Sequence, residues 1–463
     1  MNISKKLKEN KYYLEFFVFF TTLTVFLFVF FIMFYFQGED FMIRSDSPGY
    51  LQLAKNLINY KVFSQSAQPP FIADSFRTPL YPFFLSVFLI FTGRLWAIGA
   101  FQCLLAAVGA LFVFKIGDFL RSKIVGFAAA FLFGFDFYHL VSMGTIHTES
   151  LFVPLIIVSV YYFLLFLKNQ KNKELIISVL FLGLAALTRP IALYLGIIFI
   201  FICIFIHFFI WKKKLALFSL KPVIIFLFLL ILIILPWLIR KQIIFDKFNL
   251  SSVKDYNFYF WNLSAIHARN FGIPKNEVQS FLEEKIKQEF PGIKDEEISS
   301  FKLGDYYKKE SANALKGNYI KYSKEHILGS AYFLVANYYR KAAYVFTGVS
   351  EENIPLRHSF QDVPGLMKRG GFPIIMAVFG FLISGIYLIF LIINIFYLFK
   401  IKNPEYEIVL YGVIGYFALI TGPLASGSYR LPVLPFIVIL ALLGFFRALK
   451  SVKNKKLWAV LKN

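Results

Sequence analysis

Six charged residues stand near the ends of apolar runs, where a charge is expensive unless it is paired, solvated or bound to a ligand. They are Asp46, Arg77, Glu149, Arg189, Arg240 and Arg430. Carboxylates among arginines point to one kind of chemistry. The carboxylate deprotonates or orients a hydroxyl, and a guanidinium matches phosphate oxygens with two parallel donors. Each residue also has a purely structural reading. Asp46 precedes Ser47-Pro48 and stands where an N-cap would, while Arg77 and Arg189 could anchor to lipid headgroups. Glu149 opens an apolar run, where the helix dipole favours a negative charge. His147 and Glu149 form an H-x-E pair that could ligate a divalent metal, a weak signal by itself.

The elements that must position these residues are membrane helices. Of the 463 residues 58% are hydrophobic and 60 are Phe, and the mean hydropathy is +0.65, which a soluble surface would not tolerate. Apolar runs at 14–36, 95–116, 124–141, 150–167, 174–190, 191–210, 221–239, 372–399, 406–421 and 431–449 predict an all-α polytopic protein of about ten spanning helices, each needing about 20 apolar residues. The first run follows Lys5, Lys6, Lys8 and Lys11 and is too long for a signal-peptide core, so it reads as an uncleaved anchor.

A net charge of +22 would suit a nucleic-acid partner, but the lysines sit where membrane topology wants them. Those of the N-terminus, Arg121 with Lys123, Lys168 to Lys173, Lys212 to Lys214, Lys400 with Lys402 and Lys450 to Lys456 share one side if both termini are cytoplasmic. Residues 37–94, 142–149, 240–371 and 421–430 are then external, and all six charged candidates gather at that face. Pro79 to Phe91 is apolar but short; a full span there would invert the later basic loops, so it reads as a re-entrant or interfacial helix. Cys103 and Cys203 lie inside apolar runs and form no disulfide or metal framework.

The stretch from Arg44 to Leu85 is the long interruption between the first two apolar segments. After Asp46, residues Tyr50, Leu53, Ala54 and Leu57 recur at helical spacing, predicting an amphipathic helix on the outer membrane surface. The chain divides into an N-terminal membrane module over 1–239, a large external loop over 240–371 and C-terminal membrane helices over 372–463. The loop carries polar helical sequence with i,i+4 charge pairs, and His326 to Val345 is amphipathic enough to lie on the membrane. Asn257, Trp261, Asn262, His267 and Arg269 could line a sugar site or simply pack. No dinucleotide, Walker or nucleophile-elbow motif appears, nor a transporter-like repeat.

Taken in order, SDSPGYLQLAKNL with RTPLYPFFL, HTESLFVPL, GLAALTRP, LPWLIRKQIIFDKF and SYRLPVLPF resemble the hallmark segments of GT-C membrane glycosyltransferases. That group uses polyprenyl-phosphate sugars and includes the lipid A aminoarabinose transferase and the protein O-mannosyltransferases. The resemblance implies a GT-C-type bundle whose catalytic carboxylate, followed by Tyr four residues on and Ala eight on, is Asp46, with Tyr50 and Ala54 in step. It places Arg77, Arg240 and Arg430 on the donor phosphate, and Tyr50, Glu149, Arg189 and Tyr429 beside substrate. It implies a polyprenyl-phosphate-linked sugar donor and a lipid, glycan or protein acceptor; sparse cysteine, not the resemblance, points to a prokaryotic plasma membrane. A metal at Glu149 and His147 (Mg, Mn or Zn) is a further implication. This chain departs from the family's pair of adjacent acids, since Ser47 follows Asp46 and Asp40 lacks the downstream Tyr and Ala. A lipid-linked oligosaccharide polymerase or ligase, and a transporter or flippase, are the alternative classes.

Overall fold

The computed structural model describes residues 3–210, 220–336, 339–347, 371–398, 400–424 and 427–462. The basic run Lys212 to Lys214, the part of the large loop over 348–370, and Ser426 lie outside the described residues.

Every regular element among the described residues is helical. The long apolar runs become α1 (Ile3–Gln37), α4 (Leu95–Leu120), α7 (Glu149–Asn169), α9 (Ile191–Phe205), α10 (Lys221–Phe245), and further along α18 (Gly371–Leu398), α19 (Glu405–Thr421) and α21 (Leu434–Lys462). Within these, eight helices are long and apolar enough to cross a membrane. The expected span over 124–141 is instead two helices, α5 (Lys123–Gly134) and α6 (Phe137–Met143), bent by 60°. The bend falls where the Asp136 carboxylate accepts from the backbone N–H of His139 at 3.0 Å and caps the second piece. Counting that pair makes nine spans. The tenth expected span is α8 (Asn172–Thr188), whose 17 residues stand at the lower limit of about 17 for a spanning helix and which returns the chain along α7 to bring Arg189 beside Glu149. It packs between α7 and α10.

α4 is the hub of the first bundle, packed on α1, α5 and α7. Gly117 of α4 meets Gly126 of α5, and a Cβ on Gly117 would come within 2.6 Å of the Gly126 Cα. Small residues let membrane helices approach this closely and gain dispersion contact. The C-terminal helices are held by a buried polar pin. Arg447 of α21 donates to Glu407 of α19 at 2.6 and 2.9 Å and also bonds Asn394 of α18. α21 packs on α5 and α19 on α9, so one continuous core runs from Phe26 to Leu443.

Two shorter helices lie at the cavity-bearing end. α2 (Ser47–Tyr60) buries Tyr50, Leu53 and Ala54 of the face its spacing predicts, with Leu51 beside them, while Leu57 stays partly exposed. α3 (Leu80–Thr92) has 13 residues, too short to cross, and packs on α2, α4 and α8.

The large loop folds as helices α11 (Val253–Asn257), α12 (Ser264–Phe271), α13 (Val278–Glu289), α14 (Asp295–Ile298) and α15 (Gly304–Leu315). Their own core is aromatic and aliphatic: Tyr259, Phe260, Leu282, Ile286 and Tyr307 are all essentially buried. α16 (Tyr319–Val335) and α17 (Tyr339–Thr347) return the chain to the bundle. Gly329 of α16 packs on the Gly422 carbonyl, and His326 pairs with the Leu419 carbonyl at 2.8 Å. Ile320, Ile327 and Leu328 stay exposed.

Candidate active site

The loop between α2 and α3 brings Arg77 back over the start of α2. Arg77 Nη2 donates to Asp46 Oδ1 at 2.9 Å, and Nη1 donates to the Tyr50 hydroxyl at 3.1 Å. The guanidinium also lies 4.5 Å from the Tyr50 ring centroid and 4.9 Å from that of Phe76, a stacking that fixes its plane. Asp46 stands at the N-cap position of α2, yet its side chain makes no capping bond. Its carboxylate is turned to Arg77 and is 47% exposed, against 16% for the Arg77 side chain. Burial would raise the Asp46 carboxyl, but the charge and hydrogen bond of Arg77, with His147 nearby, hold it below the ordinary carboxylate value. Burial pushes the Tyr50 hydroxyl up, so it stays protonated.

A second ion cluster stands beside the first. Glu149, at the start of α7 and 1% exposed, accepts from Arg189 and pairs with His147, and Thr148 Oγ1 donates to it at 3.1 Å. Arg189, in the turn between α8 and α9, stacks on Tyr429 with 5.0 Å to the ring centroid. Each opposite charge offsets the cost of holding the other away from water.

Cross-links between loops explain why these groups converge. Gln102, fully buried in α4, donates to the carbonyls of Met143 at 3.1 Å and Thr145 at 2.8 Å, and accepts from the Tyr81 hydroxyl at 2.9 Å. Ser47 Oγ donates to the Ile146 carbonyl at 2.7 Å, and Ile146 N–H donates to the Met42 carbonyl at 2.8 Å. Thr78 Oγ1 donates to the Thr188 carbonyl at 2.7 Å, tying the Arg77 loop to the Arg189 turn. A buried glutamine inside an apolar run is the signal that would have found this brace.

Asp46, Tyr50, Arg77, His147, Glu149, Arg189 and Tyr429 all line one cavity of about 1880 Å³. That exceeds the roughly 300–1,000 Å³ of a pocket for one small ligand. The large loop supplies the outer wall, including Asn257 and Trp261; Asn262, His267 and Arg269 are not among the lining residues. Two of the three arginines assigned to phosphate by resemblance do not line the cavity either. Arg240 donates to the Asp74 carbonyl at 3.3 Å and the Phe63 carbonyl at 3.5 Å, and stacks on Trp237 at 4.5 Å. Asp74 in turn accepts from the Arg77 N–H at 2.7 Å, so Arg240 buttresses the loop that carries Arg77. Arg430, 6% exposed, donates to the Ala336 carbonyl at 2.8 Å and to Ser384 Oγ at 2.9 Å.

His147 and Glu149 are adjacent, as a metal-ligand pair must be, but Arg189 shares the same carboxylate. No group of three potential metal-ligating His, Cys, Asp or Glu side chains gathers among the described residues. The donor set does not fit a resident Zn²⁺, whose sites need three or four protein ligands; an ion held chiefly by substrate phosphates needs only one or two carboxylates.

Residues 76–239 match the model of the family described as dolichyl-phosphate-mannose-protein mannosyltransferase. The matched stretch carries Arg77, Glu149 and Arg189. No curated protein matches the chain. Among solved structures the chain is similar to the archaeal oligosaccharyltransferase AglB from Archaeoglobus fulgidus in complex with an inhibitory peptide and a dolichol-phosphate. Identity there is 15% and the TM-score 0.48, over 93% of this chain and 52% of that one. It is also similar to the Archaeoglobus fulgidus oligosaccharyltransferase tethered with an acceptor peptide, at 14% identity and TM-score 0.49 over 94% and 50%. A third is ArnT from Cupriavidus metallidurans bound to undecaprenyl phosphate, at 12% identity and TM-score 0.37 over 90% and 77%. The chain spans about half the length of the two oligosaccharyltransferases. The family match falls within the ordered segments that resemble GT-C membrane glycosyltransferases.

Proposed function

We propose, from the family match over residues 76–239 and the cavity it helps to line, that this chain is an integral-membrane glycosyltransferase. It moves a sugar from a polyprenyl-phosphate donor to an acceptor at the external mouth of the helix bundle, with both termini cytoplasmic. The observation that carries this reading is the pairing of Asp46 with Arg77 and Tyr50, beside Glu149 and Arg189, in one cavity large enough for two substrates.

The reaction is a single displacement. An acceptor oxygen bonds to the anomeric carbon while the carbon–oxygen bond to the donor phosphate breaks, and its electron pair leaves on the phosphate. The acceptor proton passes to Asp46. A carboxylate held below its ordinary value is a weak base toward an unreacted hydroxyl, so the proton moves late, once the forming bond has made that hydroxyl acidic. The half-exposed Asp46 oxygen orients the nucleophile until then. Glu149 is engaged by Arg189 and His147, which leaves no second free carboxylate in this cluster to form a glycosyl-enzyme. Inversion at the anomeric carbon follows, as in the two-face logic of inverting glycosyl transfer; a product of retained configuration would overturn it.

The test is transfer of label from radiolabelled polyprenyl-phosphate sugars to membrane lipid, glycan and protein acceptors, by the full chain in detergent. Asp46→Asn should lower the rate about 10²–10⁴-fold in a chain that still unfolds cooperatively, at a melting temperature lowered by loss of the Arg77 ion pair. Equal rates would remove Asp46 from the chemistry. Transfer of a preassembled glycan instead of a single sugar would assign the chain to the polymerase and ligase class, and movement of lipid with no new glycosidic bond to the flippase class.

A further inference from the structure

The cavity has a second wing, toward the membrane bundle, where α6, α17 and the spanning helix α18 meet. Arg340 and Lys341 of α17 line it together with Tyr138 and Val141 of α6 and Ala377 and Phe381 of α18. On α18 the next residues round, Val378 and Leu382, are 52% and 62% exposed, so the same helix turns one face to the cavity and another outward to lipid. Among the cavity's other arginines, Arg77 and Arg189 are each held by a carboxylate and Arg44 donates to the Phe41 carbonyl. Arg340 is half-buried, and no hydrogen bond or ion pair holds it among the described residues. A half-buried guanidinium with no counter-charge, above an apolar wall formed by a membrane helix, has the chemistry of a pocket for a phosphate carried on an apolar chain.

The described residues on either side of 337–338 are each held by a hydrogen bond. Arg430 donates to the Ala336 carbonyl and to Ser384 of α18. The Tyr339 hydroxyl donates to Asp136 Oδ2 at 2.6 Å, at the bend between α5 and α6. Ser384 lies on the same face of α18 as Ala377 and Phe381, at helical spacing. Asp136 therefore holds α17 next to Arg340, and Arg430 ties the end of α16 to α18.

We propose that Arg340 holds the phosphate of the polyprenyl donor and neutralises the charge it gains as the sugar bond breaks, with Arg430 and Tyr339 as positioning residues behind it. This rests on the glycosyltransferase reading and moves the phosphate contact from Arg240 and Arg430 to α17. It also orients the reaction. The lipid phosphate enters from the α18 side, and the acceptor enters from the side of the large loop toward Asp46.

The experiment is equilibrium binding to the full chain in detergent, with radiolabelled farnesyl phosphate as the probe and inorganic phosphate and farnesol as comparators. Arg340→Gln should weaken farnesyl phosphate at least tenfold, Arg340→Lys should restore part of the loss, and farnesol should respond to neither. Ala377→Phe, which fills the apolar wall, should weaken farnesyl phosphate while leaving inorganic phosphate unchanged, and it stands in if Arg340→Gln does not fold. For the positioning claim, Tyr339→Phe should raise the donor KM more than it lowers kcat; a fall in kcat alone would refute it. Wild-type binding that survives Arg340→Gln, or is indifferent to Ala377→Phe, overturns the proposal and leaves the glycosyltransferase reading standing. Inorganic phosphate bound as tightly as farnesyl phosphate would make this a free-anion site and also overturn it. No wild-type binding of farnesyl phosphate would sink both.

Discussion

Asp46 and Arg77 set the pH behaviour of the site. Burial raises the Asp46 carboxyl and Arg77 more than compensates, so the folded carboxylate lies below its ordinary value. The ionised form, and whatever activity and stability depend on it, is therefore fully present above the ordinary carboxylate range and is lost only as pH falls through the depressed folded value. The acid limb of kcat/KM is expected below that range. In Arg77→Gln the lowering partner is gone and burial remains, so the limb of the residual rate should move to higher pH, read from single-turnover transfer across a pH series. A limb that stays in place would mean that another group controls ionisation. The same residues show how an arginine's type can be right and its role indirect. Arg240 reaches Arg77 only through Asp74, and Arg430 reaches the cavity wall through the Ala336 carbonyl at the end of α16.

Helices are brought into register here by small residues and buried polar side chains more than by apolar bulk, because lipid is as apolar as the helix faces. The contact of α4 with α5 depends on Gly117 and Gly126. Gly117→Val forces a side chain into the Gly126 backbone and should destabilise by about 1–3 kcal/mol, seen as a lower melting temperature in detergent. Gly385 of α18 has nothing within 4 Å of a built Cβ, and Gly385→Ala should be neutral or stabilising by up to about 1 kcal/mol, the helix-propensity gain. If both variants melt alike, close approach is not what holds α4 to α5. The bend between α5 and α6 belongs to this scale too. The Asp136 carboxylate serves as cap for α6 and as acceptor for Tyr339, so the break in the span and the placement of α17 share one side chain.

For the molecule as a whole, the cavity lies where three separate regions meet: the first loop and its helices, the turns at Glu149 and Arg189, and the large loop with α16 and α17. With Glu149 already shared by Arg189 and His147, the chemistry is expected to run without a divalent ion. Transfer should be unchanged after EDTA and dialysis, and a loss restored by Mg²⁺, Mn²⁺ or Zn²⁺ would overturn that expectation. The volume of the cavity and its two unlike wings suit a lipid donor and a polar acceptor bound together.

The sequence by itself determined the membrane class, since runs of about 20 apolar residues have few other uses. It also singled out Asp46, Arg77, Glu149 and Arg189, because a charge at the end of an apolar run is costly without a reason, and the family resemblance added Tyr50. Periodicity placed the buried face of α2, and length kept α3 from spanning. What only the tertiary structure decided is which charges meet. Asp46 reads equally as a helix cap until Arg77, 31 residues on, is seen to hold it. Arg240 and Arg430 sit in segments as suggestive as that of Arg77, yet their guanidiniums serve backbone carbonyls behind the cavity wall. Arg340 lies in a stretch whose pattern showed only an amphipathic helix, and its place beside α6 depends on the Tyr339–Asp136 contact, 203 residues apart. Local sequence fixes which face of a helix is apolar and which residues are charged; pairing between distant loops is a property of packing, and packing decides which of those charges is left to meet a substrate.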